Sequence, residues 1–142
     1  MKQIIIITGH NNFASGILSS LTMIAGSKDN IYAVDFLSND NDDTLEDKFN
    51  KIINDNKDKE ILFVCDLMGG TPFKVASKLA FTNDSYEVVT GINLGGLIDT
   101  FMKLDKMSIE ELKTSCKNAS IKSVISLEKI IEKDKEEPSE GI

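Results

Sequence analysis

The sequence is poor in the residues that most binding and catalytic sites are built from: one histidine, two cysteines without CxxC spacing, and aromatic residues at only 6% of 142 positions. One histidine and no paired-cysteine motif leave too few ligands for a zinc site. So few aromatics argue against a platform for stacking bases, and a net charge of −7 leaves no electrostatic case for nucleic acid or an anionic membrane surface. No apolar run reaches 18 residues, which excludes a membrane-spanning helix. The apolar run that starts near Ile4 breaks at Gly9-His10-Asn11-Asn12, too soon for a signal peptide. GxxxxGK[ST], GxGxxG and G-x-S-x-G are all missing, and with them the two nucleotide loops and the serine-hydrolase elbow. Cys65 falls in an expected core strand and Cys116 on an expected helix, the pattern of reduced thiols in a cytoplasmic protein.

What remains is ordinary globular material, 41% hydrophobic and 27% charged, of a length that suits one domain. Residues 2–8 read as a first strand, followed by a helix capped by Asn12, carrying Phe13, Ile17, Leu18, Leu21 and Ile24, and closed by Gly26. Ile31–Phe36 is a second strand, and Asp43 or Thr44 is expected to cap a helix bearing Leu45, Phe49, Ile52 and Ile53. A third strand over 61–66 leads into a helix with Phe73, Val75, Ala76, Leu79 and Ala80. Tyr86–Thr90 is a fourth strand, and a helix follows from about Leu94. Ser108 and Glu111 form a capping box for a last helix to about Asn118. Residues 121–127 fit either a fifth strand or a helix continuing through Ile131. Residues 1–131 thus form one domain, and 132–142 a charged, flexible tail. Alternating strands and helices define an α/β fold with a mainly parallel, helix-covered sheet, in which ligands sit at the carboxyl ends of the strands where the winding reverses. With strand order 2-1-3-4 the reversal lies between strands one and three, which end at His10 and Asp66.

His10 directly follows an apolar strand, flanked by Gly9, Asn11 and Asn12, where a core histidine would have no packing role. A carboxylate on one imidazole nitrogen fixes the tautomer and leaves a lone pair on the other, a part Asp66 can play for His10. Asp66 also fits a turn or capping aspartate. Gly69-Gly70-Thr71-Pro72 opens a helix with free N–H groups suited to an anion, and Thr71 stands where an N-cap belongs. The glycines are equally compatible with a tight turn that binds nothing. Thr8 is a further hydroxyl near His10, or an ordinary β-branched strand residue. A receiver domain would want an acidic cluster after the first strand, and a histidine phosphatase a basic residue beside its nucleophile; neither is present.

Ile7-Thr8-Gly9-His10, Met23-Ile24-Ala25-Gly26, Ala33-Val34-Asp35-Phe36, Leu62 to Phe73 and Val88 to Leu94 together resemble the enzyme IIA domains of the mannose class in the bacterial sugar phosphotransferase system. The resemblance covers roughly residues 2–127. It implies a phosphotransferase in which His10 takes a phosphoryl group from the carrier protein HPr and passes it to an enzyme IIB. Asp66 then orients His10, and Gly69, Gly70, Thr71 and Thr8 adjoin the phosphoryl group. No metal or organic cofactor is implied, and the membrane components IIC and IID are reached only indirectly. The resemblance further implies a separate IIB protein and a homodimer that exchanges its last strand. A regulatory module switched by phosphorylation, or the phosphotransfer subunit of a dihydroxyacetone kinase, are the alternatives on the same fold. Two departures stand out: Asn11 where the family usually has glycine, and Gly95-Gly96 where it usually has a proline or small-residue turn.

Overall fold

A computed structural model describes residues 2–130. Ile4 to Ile7 offer no polar side, and a strand apolar on both faces belongs in the middle of a sheet covered on both sides. That is where β1 (Gln3–His10) lies, with all four isoleucines fully buried. It pairs in parallel with β2 (Ile31–Phe36) on one side and β3 (Glu60–Cys65) on the other, and β4 (Tyr86–Thr90) adds to β3, also in parallel. The order is 2-1-3-4, as the sequence implied. Helices α1 (Phe13–Ala25), α4 (Leu94–Lys103) and α5 (Ile109–Lys122) cover one face, where Ile5, Ile7, Leu62 and Val64 meet Leu21, Leu97 and Leu112. Helices α2 (Asp42–Asn54) and α3 (Gly70–Phe81) cover the other, over Ile4, Ile6 and Phe63.

Several helix ends differ from the local reading, each for a tertiary reason. Asn12 makes no side-chain cap; the N–H of Ser15 at the start of α1 instead donates to the Asp35 carboxylate at the end of β2, at 3.0 Å. Asn41, not Asp43 or Thr44, caps α2, and Thr44 completes a reciprocal capping box with it. Gly69 precedes α3, which puts Thr71 inside the first turn and not at the cap. The Ser108–Glu111 box forms as expected.

The last helix continues past Asn118 to Lys122, and residues 124–130 form neither strand nor helix, so no fifth strand exists among the described residues. The end of α5 packs against the Gly95-Gly96 pair. With no side chains there, α4 and α5 approach until Ser120 and Ser123 fill the space a Cβ would need, and Asn93 both caps α4 and donates to the Ser120 carbonyl at 2.8 Å. These contacts anchor the final turns of α5 as helix. The charged tail expected over 132–142 lies outside the described residues.

A methyl group on Gly96 would stand 2.8 Å from the Ser120 Cα, a backbone atom that cannot swing away. Gly96→Ala is therefore expected to cost about 1–3 kcal/mol of stability by overpacking. The check is a lower urea midpoint with an unchanged slope.

Candidate functional site

Parallel pairing of β1 with β3 sets Thr8 beside Cys65, so the two strands run out side by side. β1 extends through His10, which is its last residue and not part of the loop beyond. Asp66, one residue past β3 and 56 positions from His10 in sequence, reaches across. Its Oδ2 accepts the His10 backbone N–H at 2.9 Å and lies 2.8 Å from His10 Nδ1, while Oδ1 accepts the Leu67 N–H at 2.8 Å. The carboxylate side chain is 10% exposed and the imidazole 45% exposed, so the pair has a sheltered half and an open half.

Room for this reach comes from Gly9. A Cβ there would sit 2.9 Å from the Asp66 Cγ and 2.7 Å from the Phe13 ring, so any side chain would push the carboxylate off His10. The ring is held from two further sides. Phe36 packs edge-on against it with centroids 6.0 Å apart, and Gly70 lies so close that a Cβ would be 2.9 Å from both Cε1 and Nε2. Gly70 also has φ +78, a left-handed conformation that favours glycine. Asn11 follows at φ +53, and its N–H donates to the Phe36 carbonyl at 2.7 Å. Asparagine is among the few non-glycine residues that tolerate this region, which accounts for its standing where the family usually has glycine.

With Nδ1 committed to Asp66, Nε2 is left facing the start of α3. A neutral imidazole in this arrangement carries its proton on Nδ1 and a lone pair on Nε2. Thr71 follows this nitrogen's glycine in the first turn of α3. Thr8 is fully buried two residues below His10, and its hydroxyl has no hydrogen-bond partner among the described residues. His10, Asp66 and Gly70 thus come together with Gly69 and Thr71 at the same turn, while Thr8 lies in the floor. Phe36 and Gly9 escaped the sequence reading; the glycine directly before the only histidine was the available signal.

Burial by itself would raise the Asp66 carboxyl pKa. The hydrogen bonds from the His10 backbone, the His10 ring and Leu67 outweigh it and hold the carboxyl below its ordinary value. Both cysteines are free and buried, and burial together with the Asp66 charge pushes the Cys65 thiol up to about 12, which leaves it inert. Among the described residues no group of three or more His, Cys, Asp or Glu is placed to hold a metal ion, and no helix is long and apolar enough to cross a membrane.

Fold and site define a parallel α/β domain built around a single carboxylate-oriented histidine. Residues 4–117 match the EIIA-man family, described as the PTS system fructose IIA component. The PTS system mannose-specific EIIAB component of Escherichia coli (strain K12) is 33% identical over 114 residues, covering 79% of this chain and 35% of that protein. The chain thus spans about a third of the length of that curated relative. The PTS system fructose-specific EIIA component of Bacillus subtilis (strain 168) is 28% identical over 120 residues, 84% of this chain and 82% of that one. The crystal structure of a phosphotransferase system component EIIA from Streptococcus agalactiae superposes with a TM-score of 0.80 at 30% identity, covering 87% of this chain and 96% of that chain. The chain belongs to the EIIA-man family, the mannose-class IIA components of the sugar phosphotransferase system.

A depressed Asp66 pKa means the folded state gains from the charged carboxylate above the ordinary carboxylate range and loses that gain as the pH falls through the folded value. Wild type is expected to be more stable than Asp66→Asn at pH 7, with the difference narrowing as the pH drops below about 4. Urea unfolding of both proteins at pH 7 and pH 3 measures it.

Proposed function

We propose that this chain is a phosphohistidine carrier of a sugar phosphotransferase system, and that His10 is its acceptor. The observation that carries the reading is the division of the imidazole, with Nδ1 2.8 Å from the Asp66 carboxylate and Nε2 turned to the open start of α3. In the forward step the Nε2 lone pair attacks the phosphorus of a phosphohistidine on HPr. The phosphorus–nitrogen bond on HPr breaks, and its electron pair returns to the HPr imidazole. His10 keeps its Nδ1 proton and becomes a phosphorylated imidazolium, a cation that the Asp66 carboxylate compensates. The second step repeats the exchange with an enzyme IIB as acceptor. Transfer between two nitrogen–phosphorus bonds is nearly thermoneutral, so the work is alignment and charge compensation, which needs no metal or organic cofactor.

The free N–H groups of Gly70 and Thr71 at the start of α3 are the donors on offer to phosphoryl oxygens, with Gly69 and Gly70 giving them an unobstructed approach. Thr8 supports the floor beneath. The partners in this reading are HPr and a IIB protein in the cytoplasm, with IIC and IID reached only through IIB.

The reading includes a homodimer. Among the described residues β4 has an unpaired outer edge, and Ile121, Val124, Ile125 and Leu127 stand exposed at and after the end of α5. Pairing of this segment with a second copy buries both.

Incubated with phosphoenolpyruvate, enzyme I and HPr, wild type is expected to take up one phosphoryl group per chain. His10→Ala should take up none while keeping its circular dichroism spectrum, since the ring is nearly half exposed. Label on the His10→Ala protein would refute the acceptor assignment. For the dimer, sedimentation should give twice the chain mass for wild type and a shift toward monomer for Ile125→Asp.

A further inference from the structure

The phosphoryl group proposed on His10 brings about two negative charges to a chain that contains no arginine. The cation that shares a groove with the Gly69–Thr71 turn beside His10 is Lys74, on the second turn of α3. Gly70 and Lys74 are four residues apart and share one face of the helix, about 6 Å apart along its axis. Helical side chains lean toward the N-terminus, so the Lys74 stem extends back over the turn occupied by Gly70. Gly70 lies beside His10 Nε2, close enough that a Cβ there would be 2.9 Å away, and it presents no side chain of its own to block the way. Gly69, Gly70, Thr71 and Lys74 line one open groove along α3.

In the unphosphorylated protein Lys74 is already paired. Its ammonium lies 2.6 Å from Asp42 Oδ2, with the lysine side chain 71% and the aspartate 47% exposed. The carboxyl of Asp42 is held below its ordinary value chiefly by Lys74, with a smaller share from the Thr71 hydroxyl. That carboxylate therefore occupies the ammonium on the second turn of α3.

Resting on the carrier reading above, we propose that Asp42 is a stand-in for the phosphoryl group: when His10 is phosphorylated, Lys74 leaves Asp42 and binds a phosphoryl oxygen. Three features make the exchange easy. An ion pair this exposed contributes little, and the phosphoryl dianion is the stronger partner for an ammonium. Asp42 is the first residue of α2, where the helix N-terminus compensates a carboxylate left alone. The next rung between the same two helices, Lys78 with Glu46 at 2.8 Å, keeps α2 and α3 together while the first rung opens. The charged groups at this end of the sheet are then Asp66 from the β3–α3 turn, Asp35 at the end of β2, the Asp40–Lys48 pair beside it, Asp42, Asp43 and Glu46 from α2, and Lys74 and Lys78 from α3.

The test phosphorylates His10 with potassium phosphoramidate, so that no protein donor is involved, and follows the phosphoryl titration by 31P NMR. The four proteins are wild type, Lys74→Gln, Asp42→Asn and the double variant. An ammonium on the dianion lowers its pKa, so Lys74→Gln should raise it by about half a unit to one unit. Asp42→Asn should lower it in the wild-type background, and most of that effect should vanish in the Lys74→Gln background, because the two residues act through one exchange. No shift in Lys74→Gln, or an Asp42→Asn effect equal in both backgrounds, overturns the exchange. Absence of phosphohistidine in wild type itself overturns the carrier reading, a result distinguishable from either.

Discussion

Everything at the site depends on the lateral register between β1 and β3. Side-by-side parallel strands end at the same level, so two residues 56 positions apart become neighbours without any loop having to fold back. The reach of Asp66 is short, and it is taken up fully: one oxygen serves two nitrogens of His10 and the other closes the turn at Leu67. A slip of the register would separate the carboxylate from the ring and expose the apolar faces of β1 at the same time. The core that fixes the register and the geometry that orients the histidine are thus one constraint.

The two ends of the sheet are treated differently. At the amino ends, buried Gln3 closes the structure. Its backbone N–H donates to Asp105, its side-chain oxygen accepts the Asp105 N–H, and its amide donates to Glu60 and to the Met107 carbonyl. Almost every polar group there is answered within the chain. At the carboxyl ends the groups are left open: a half-exposed imidazole, a helix start without a side-chain cap, and exposed Leu67 and Met68 in the turn. An end that is saturated confers rigidity, and an end that is unsaturated receives something. The pairing of Asp42 with Lys74 belongs to the second kind, since both side chains remain largely exposed.

Both departures from the family pattern have a structural answer. Asn11 keeps the left-handed backbone that a glycine would have supplied, so the acceptor loop retains its hydrogen bond to Phe36. Gly95-Gly96 removes bulk from the start of α4, and α5 responds by packing Ser120 and Ser123 into the space and running four residues beyond the expected Asn118.

The sequence alone determined the four strands, the order 2-1-3-4, the Ser108–Glu111 box and the pairing of His10 with Asp66. The elements rest on patterns within a few residues of each other, apolar runs and helical spacing, and the pairing on the rule that strand ends at a winding reversal meet. Tertiary structure alone decided what competes for a group once distant segments arrive. Asp35 supplied the acceptor at the start of α1 in place of Asn12, Asp42 took the Lys74 ammonium, Gly9 proved to be the clearance for Asp66, and Gly96 proved to be the clearance for Ser120. A hydrogen-bonding group takes the best partner within about 3 Å, and for these residues that partner is set by the fold and not by the neighbouring sequence.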